Sequence, residues 1–157
     1  MIHLVEIDES NWLAALRLSV ADDQKGFLAS PEGILARGYV YRGSRARVWG
    51  VAADDAGGEL VGLALVRDLD EEPACYELQQ FMIDAGQQNK GYGGAALRRI
   101  LELLAAEGKY PCVEVCVKRA ASAARRVYER AGFVDTGYID PDLPDSLNLR
   151  HTFGKER

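Results

Sequence analysis

The segment Gln88-Asn89-Lys90-Gly91-Tyr92-Gly93-Gly94 carries the most chemistry in this chain. Glycines ahead of a helix let the backbone come close to a ligand. The first N–H groups of a helix have no intrahelical acceptor, and with the positive end of the helix dipole they suit a phosphate or diphosphate. The same glycines also serve a tight turn and a close helix–sheet contact, so by themselves they leave both readings open. A Walker-type phosphate loop is excluded, because Tyr92 rather than Lys and then Ser or Thr follows Gly91. Gly91-x-Gly93-x-x-Ala96 formally fits the dinucleotide fingerprint, with Glu114 placed 23 residues on. That fingerprint should directly follow a strand of a βαβ unit, whereas seven residues separate Ile83 from Gly91 and hairpins precede them.

Few other residues compete for a chemical role. The two histidines, His3 and His151, lie near opposite ends, so neither a metal site nor a His-centred triad is expected. Cys75, Cys112 and Cys116 match no C-x-x-C pattern. Their apolar, β-branched surroundings predict buried reduced thiols at Cys112 and Cys116, and no nucleophile among the three. Nineteen Lys plus Arg against 24 Asp plus Glu give a net charge of −5. This argues against nucleic acid or an anionic membrane as partner and tolerates a cationic one. The acid runs Asp22-Asp23, Asp54-Asp55 and Asp68-x-Asp70-Glu71-Glu72 read as solvated loops. No apolar run is long enough for a membrane span and the N-terminus does not read as a signal peptide, so a cytoplasmic protein is expected.

The elements that must position these residues follow from composition and periodicity. At 157 residues, 48% apolar and 27% charged, with 16 Gly and 5 Pro, the chain reads as one globular domain over residues 1–157. Residues 2–7 predict a short strand, and Ser10 an N-cap for a helix to Val20 with Leu13, Leu16 and Val20 on its apolar face. Asp22 to Tyr41 predicts a second helix, or two short ones, interrupted near Pro31 and Gly33. Strands over 47–53, 59–66 and 75–83 form an antiparallel meander. Leu97, Ile100, Leu101 and Leu104 mark a strong amphipathic helix that starts at the glycines and ends at Gly108. A buried strand over 112–117 follows, then a helix with Ala124, Val127, Tyr128 and Ala131 on one face. Residues 133–139 and 147–153 read as the last strands. The order β-α-α-β-β-β-α-β-α-β-β predicts an α/β (mixed α+β) fold, with a mostly antiparallel sheet of about seven strands flanked by about four helices.

Gln88-Asn89-Lys90-Gly91-Tyr92-Gly93 also reads Q-x-x-G-x-G, between a fourth strand and a third helix. In pattern and position it resembles the acyl-CoA diphosphate loop of the GNAT superfamily of N-acetyltransferases. Ala124-Arg125-Arg126-Val127-Tyr128-Glu129-Arg130-Ala131-Gly132-Phe133 resembles that superfamily's A-x-x-hydrophobic-Tyr-x-x-x-G-F segment, and the element order agrees along the chain. Residues 23–30 and 76–84 look like segments of bacterial spermine/spermidine acetyltransferases, although Pro31 follows Ala29-Ser30 where those enzymes often have Asn. Many members carry Asn seven residues before the helix-four Tyr; here Ala121 stands there, with Ser122 beside it.

The resemblance implies acetyl transfer from acetyl-CoA to a primary amine, directly and without an acyl-enzyme or metal. It implies that the amides of Asn89, Lys90, Gly91, Tyr92, Gly93 and Gly94 hold the diphosphate, with Gln88 also among the cofactor-binding residues. The backbone at Phe81, Met82 and Ile83 would pair with the pantetheine arm, which needs a splayed strand, and Ser122 would add a contact. An alkyl ammonium near pKa 10 is not nucleophilic at neutral pH, so a base or water relay is needed. Glu77, 11 residues before Gln88, matches the offset of the catalytic Glu in some histone-type members; read alone it is equally a strand Glu paired with an Arg. Tyr128 would protonate the departing thiolate, since a phenol near 10 keeps its proton at neutral pH; read alone it is a core tyrosine. A small cationic amine, with spermidine or spermine foremost, is the implied acceptor. Amino acids, aminoglycosides and protein N-termini are the alternatives, and a non-catalytic acyl-CoA sensor is a different class. Similar enzymes are commonly homodimers.

Overall fold

Largely apolar runs separated by short turns build the first half of the sheet, whose central strands are covered on both faces. The computed structural model describes residues 1–154. Its strands β1 (Ile2–Glu6), β2 (Arg47–Ala53), β3 (Leu60–Leu69) and β4 (Cys75–Ile83) pair in sequence order, all antiparallel. A parallel neighbour needs a crossover, which α3 (Tyr92–Glu107) supplies before β5 (Cys112–Lys118) joins β4. Beyond β5 lie β7 (Ser146–Thr152) and the two-residue β6 (Val134–Asp135). The seven strands therefore run β1-β2-β3-β4-β5-β7-β6, as the expected mixed, mostly antiparallel fold requires.

Helices close both faces. From α3, Leu97, Ile100 and Leu104 pack with Tyr128 of α4 (Ser122–Arg130) over Val66, Leu78 and Val115. Those three aliphatic side chains of α3 together contribute roughly 5–9 kcal/mol by burial. On the opposite face, Ala15 of α1 (Trp12–Leu16) and Ile34 of α2 (Pro31–Val40) pack over Leu63, Leu65 and Met82.

Several expected boundaries move. Helix α1 follows Asn11 and stops at Leu16 rather than Val20, leaving Leu13 exposed. The chain beyond it is held by tertiary bonds: Ser19 N–H donates to Asp84 Oδ1 at 2.8 Å, and Ala85 N–H donates to Ser19 O at 2.6 Å. Pro31 starts α2 instead of interrupting it. Its missing N–H costs nothing at a first helical position, and Ser30 Oγ caps the turn by accepting from Gly33 N–H at 3.2 Å. The sixth strand is shorter than expected, with residues 136–139 outside β6, while the seventh keeps its length and starts one residue earlier. Asp68 is not a loop residue: it belongs to β3 and is 4% exposed. Arg45 (φ +55°) donates to Asp68 at 2.9 and 3.1 Å and to Glu107 at 2.8 and 2.9 Å, and Lys109 Nζ donates to Asp68 at 2.8 Å. Burial pushes the Asp68 carboxyl up, but the bonds from Arg45 and Lys109 outweigh it and hold the group below its ordinary value. Hydrogen bonds from Arg45 also hold Glu107 below its ordinary value, at about 2.

Two irregularities in β4 matter most. Val66 pairs with Leu78 and Leu65 with Gln80, so Gln79 is an extra residue, a bulge. Before it Tyr76 and Leu78 face the α3 core; after it Met82 faces α2. And β4 pairs with β5 only at Tyr76 with Val113 and Glu77 with Glu114. Beyond that point β4 stays with β3, β5 stays with β7, and the two halves of the sheet part.

Candidate active site

The parting leaves an unpaired backbone edge on β4. Phe81, Met82 and Ile83 pair on their other side with Ala64, Leu63 and Gly62. Their free edge can take an extended ligand arm by strand addition, which needs main-chain groups rather than particular side chains. The Met82 side chain is committed to the core, while Phe81 leans on Tyr128, with ring centroids 6.4 Å apart.

The chain leaves β4 through a 3-10 turn at Ala85–Gln87, whose amide Gly86 N–H donates to Asp84 Oδ2 at 3.3 Å. Gln88 Nε2 donates to Ile83 O at 3.0 Å and to Gln24 Oε1 at 2.8 Å. Its side chain thus fixes the loop against the strand end and the 22–24 turn. Lys90 Nζ donates to Gln87 Oε1 at 3.0 Å. Asn89 (φ +65°) and Gly91 (φ +84°) take left-handed conformations that turn successive amides toward one side. Gly91 is demanded by that geometry, since a Cβ there would meet open space but a strained backbone. The first α3 amide with an acceptor is Ala95, donating to Gly91 O at 3.2 Å; the N–H groups of Asn89, Lys90, Gly91, Tyr92, Gly93 and Gly94 have none among the described residues. Six free donors on a helix N-terminus, at the end of an open strand edge, fit a diphosphate joined to an extended arm.

Tyr128 reaches the same opening from α4. It is 6% exposed and held between Phe81 and Phe133, the latter ring 5.4 Å away. Burial alone acts on its phenol and pushes it well above the ordinary value. Gly132 (φ +94°) ends α4 in a turn where a Cβ would lie 3.1 Å from His151 Nδ1, which accounts for the Gly before Phe133. Ser122 is the exposed first residue of α4, and Ala121 caps it without a side-chain bond.

Glu77 stands at the vertex, where β4 and β5 part, on the sheet face opposite Tyr128. Arg67 Nε donates to its Oε1 at 2.6 Å, and the Arg67 guanidinium lies 4.3 Å over the Tyr41 ring. Its neighbour across the parallel pair, Glu114, accepts from Arg150 Nε at 2.8 Å. The fold thus brings Tyr128 to Phe81 on the β4 edge, and leaves Glu77 on the other face in the ion pair that a structural strand Glu would also make.

The cysteine expectation is corrected at one position. Val113, Val115 and Val117 take the core side of β5, so Cys116 faces the other way and is exposed; Cys75 and Cys112 are buried. Burial pushes the Cys75 thiol up to about 12, which disfavours a thiolate. Sequence reading did not single out Lys118 and Arg119. With Gly26, Phe27, Ala120 and Asp145 they line a cavity of about 470 Å³ at the open end of β5. The available signal was a basic pair just before the helix-four motif. Another cavity, of about 420 Å³, lies beside Trp12, Leu35, Gly38 and Val48 and contains no predicted site residue. No helix among the described residues is long and apolar enough to cross a membrane.

Known proteins share this fold. A search of curated proteins finds no match by sequence. Spermidine N-acetyltransferase from Vibrio cholerae, solved with CoA and spermine, superposes with a TM-score of 0.76 at 16% identity, covering 96% of this chain and 95% of that one. The aminoglycoside acetyltransferase AAC(6')-Ib, solved with coenzyme A, gives 0.79 at 17% identity over 98% and 95%. A GNAT-family acetyltransferase from Bacillus anthracis gives 0.74 at 18% over 96% and 94%. At these identities the likeness speaks for the fold, while the sequence model of the acetyltransferase (GNAT) family matches residues 10–133 directly. The chain belongs to the GNAT acetyltransferase family.

Proposed function

We propose that this protein transfers the acetyl group of acetyl-CoA to a primary amine of a small acceptor. The observation that carries the reading is the row of six unpaired amides from Asn89 to Gly94, set where β4 parts from β5. Those amides would hold the diphosphate, the free edge at Phe81, Met82 and Ile83 the pantetheine arm, and Ser122 a further polar contact. When bound, acetyl-CoA supplies an activated acyl carbon and a thiolate leaving group. Glu77, through a water, takes the proton that makes the amine a nucleophile. Tyr128 gives its hydroxyl proton toward the departing sulfur from the opposite face. Ile83, Phe81 and Tyr128 exclude bulk water at the point where charge develops.

Spermidine and spermine enter as acceptors through the likeness of residues 23–30 and 76–84 to polyamine acetyltransferases; the fold shared with the Vibrio cholerae enzyme agrees with it. Aminoglycosides enter by the same fold argument. The test is calorimetry with CoA, followed by thiol release from acetyl-CoA across polyamines, aminoglycosides, amino acids and peptides. Micromolar binding and thiol release with at least one amine are expected. Binding without turnover would make the domain an acyl-CoA sensor; no binding would overturn the assignment of the glycine loop.

A further inference from the structure

The charges around the opening narrow the acceptor further, on the basis of the acetyltransferase reading above. On the face where Glu77 lies, the acids at the vertex are already neutralised: Glu77 by Arg67 and Glu114 by Arg150. The cavity of about 470 Å³ at the open end of β5 is lined by two cationic residues, Lys118 and Arg119, and one acidic residue, Asp145. Neither cation forms an ion pair among the described residues. Arg119 is positioned by backbone, its N–H donating to Asp145 O at 2.8 Å and its Nη1 to Pro144 O at 3.5 Å. Two cations against one anion make a poor seat for a polyamine, in a protein whose overall charge is −5. They make a good one for an oxyanion, which an Arg fork and a Lys ammonium recognise together.

Two sources of that oxyanion can be separated by position. The diphosphate of CoA is met by the amides of the loop 89–94, at the end of β4. The cavity lies across the opening, at the end of β5, and its other wall is Gly26 and Phe27, in the connection between α1 and α2. That connection covers the acceptor side of the sheet, where Arg67 and Glu77 lie. Asp145 beside the two cations provides a counter-charge for an ammonium on the same molecule.

We infer that the acceptor is a primary amine that also carries a carboxylate, with Lys118 and Arg119 as its specificity-determining residues. The experiment compares lysine and ornithine with their carboxamides, and with spermidine and spermine, by thiol release. Each free acid should exceed its amide at least tenfold in kcat/KM, and exceed the polyamines. In the double variant Lys118→Met/Arg119→Met, KM for the free acid should rise at least tenfold and the acid–amide difference should disappear. Its kcat should stay within threefold, and calorimetry should show CoA affinity unchanged. Equal turnover of acid and amide by the unmodified protein, or preference for spermidine, overturns the inference while leaving the acetyltransferase reading intact. A variant that loses CoA affinity instead of acceptor affinity assigns the pair to the cofactor and also overturns it. Absence of thiol release with every amine overturns both.

Discussion

Changing Tyr128 to Phe removes one oxygen from a ring held between Phe81 and Phe133. At ordinary values, moving a proton from a phenol near 10 to a thiolate near 8.5 is uphill by roughly 2 kcal/mol. Burial lifts the Tyr128 phenol further, so complete transfer ahead of C–S cleavage is steeper still. In the proposed role the hydroxyl therefore acts by hydrogen-bonding to the sulfur as its charge develops. General acids contribute about 10²–10⁴-fold, and an acid this weak belongs at the lower end, so kcat should fall about 100-fold in Y128F. The hydroxyl has no protein partner among the described residues, so its loss strands no donor or acceptor. The melting temperature should stay within about 2 °C, and KM for acetyl-CoA within about threefold. The assay is thiol release under saturating acetyl-CoA, beside thermal melts of both proteins. Unchanged kcat refutes the assignment, and so does a kcat loss matched by a comparable loss of stability. The raised phenol also predicts no alkaline limb in kcat from this residue below pH 10. A limb near pH 9 that disappears in Y128F refutes the reasoning from burial.

Glu77→Gln should lower kcat about 100-fold at pH 8 while leaving CoA affinity unchanged by calorimetry. Full activity would return Glu77 to a purely structural pair with Arg67. Gly91→Val forces a β-branched residue into φ +84°, costing upward of about 1–2 kcal/mol in the loop. CoA should bind about tenfold more weakly, and unchanged affinity would detach the loop from the diphosphate. Glu107 falls from an ordinary 4.5 to about 2 through its bonds with Arg45, roughly 3 kcal/mol if fully realised. A third of the side chain is exposed, so screening leaves about 1–2 kcal/mol. A depressed carboxylate stabilises the fold fully above pH 4.5 and loses that contribution as pH falls toward 2. Urea midpoints should therefore drop across that window and do so less in Glu107→Gln; equal slopes refute it.

The layout of the fold is legible because the hydrophobic spacing of α3 and the turn residues that separate the apolar runs of β2 to β4 are strong local signals. What sequence misplaces is governed by tertiary bonds. The Leu13–Val20 stretch has helical spacing, but the Asp84 carboxylate holds Ser19 N–H and the helix ends at Leu16. Asp68 looks like part of an acidic loop because Arg45, 23 residues earlier, and Lys109, 41 residues later, supply its counter-charges. Cys116 sits in an apolar run, yet one strand position decides whether its side chain meets the core or solvent.

The site divides along the same line. The glycine loop is legible because its conformation is paid for locally: Asn89 and Gly91 tolerate positive φ where most residues do not. The parting of β4 from β5 is not legible, since each strand still satisfies its other edge and no residue type marks where pairing stops. Only the bulge at Gln79 accompanies it, and a bulge has no fixed sequence signature. Lys118 and Arg119 show the consequence. In sequence they are a polar strand end, and only the parted sheet turns them into the wall of a cavity. In this chain the loop proposed to hold the cofactor can be read from short-range pattern, whereas the pair proposed to select the acceptor is brought together by long-range packing, where charge rather than likeness must decide.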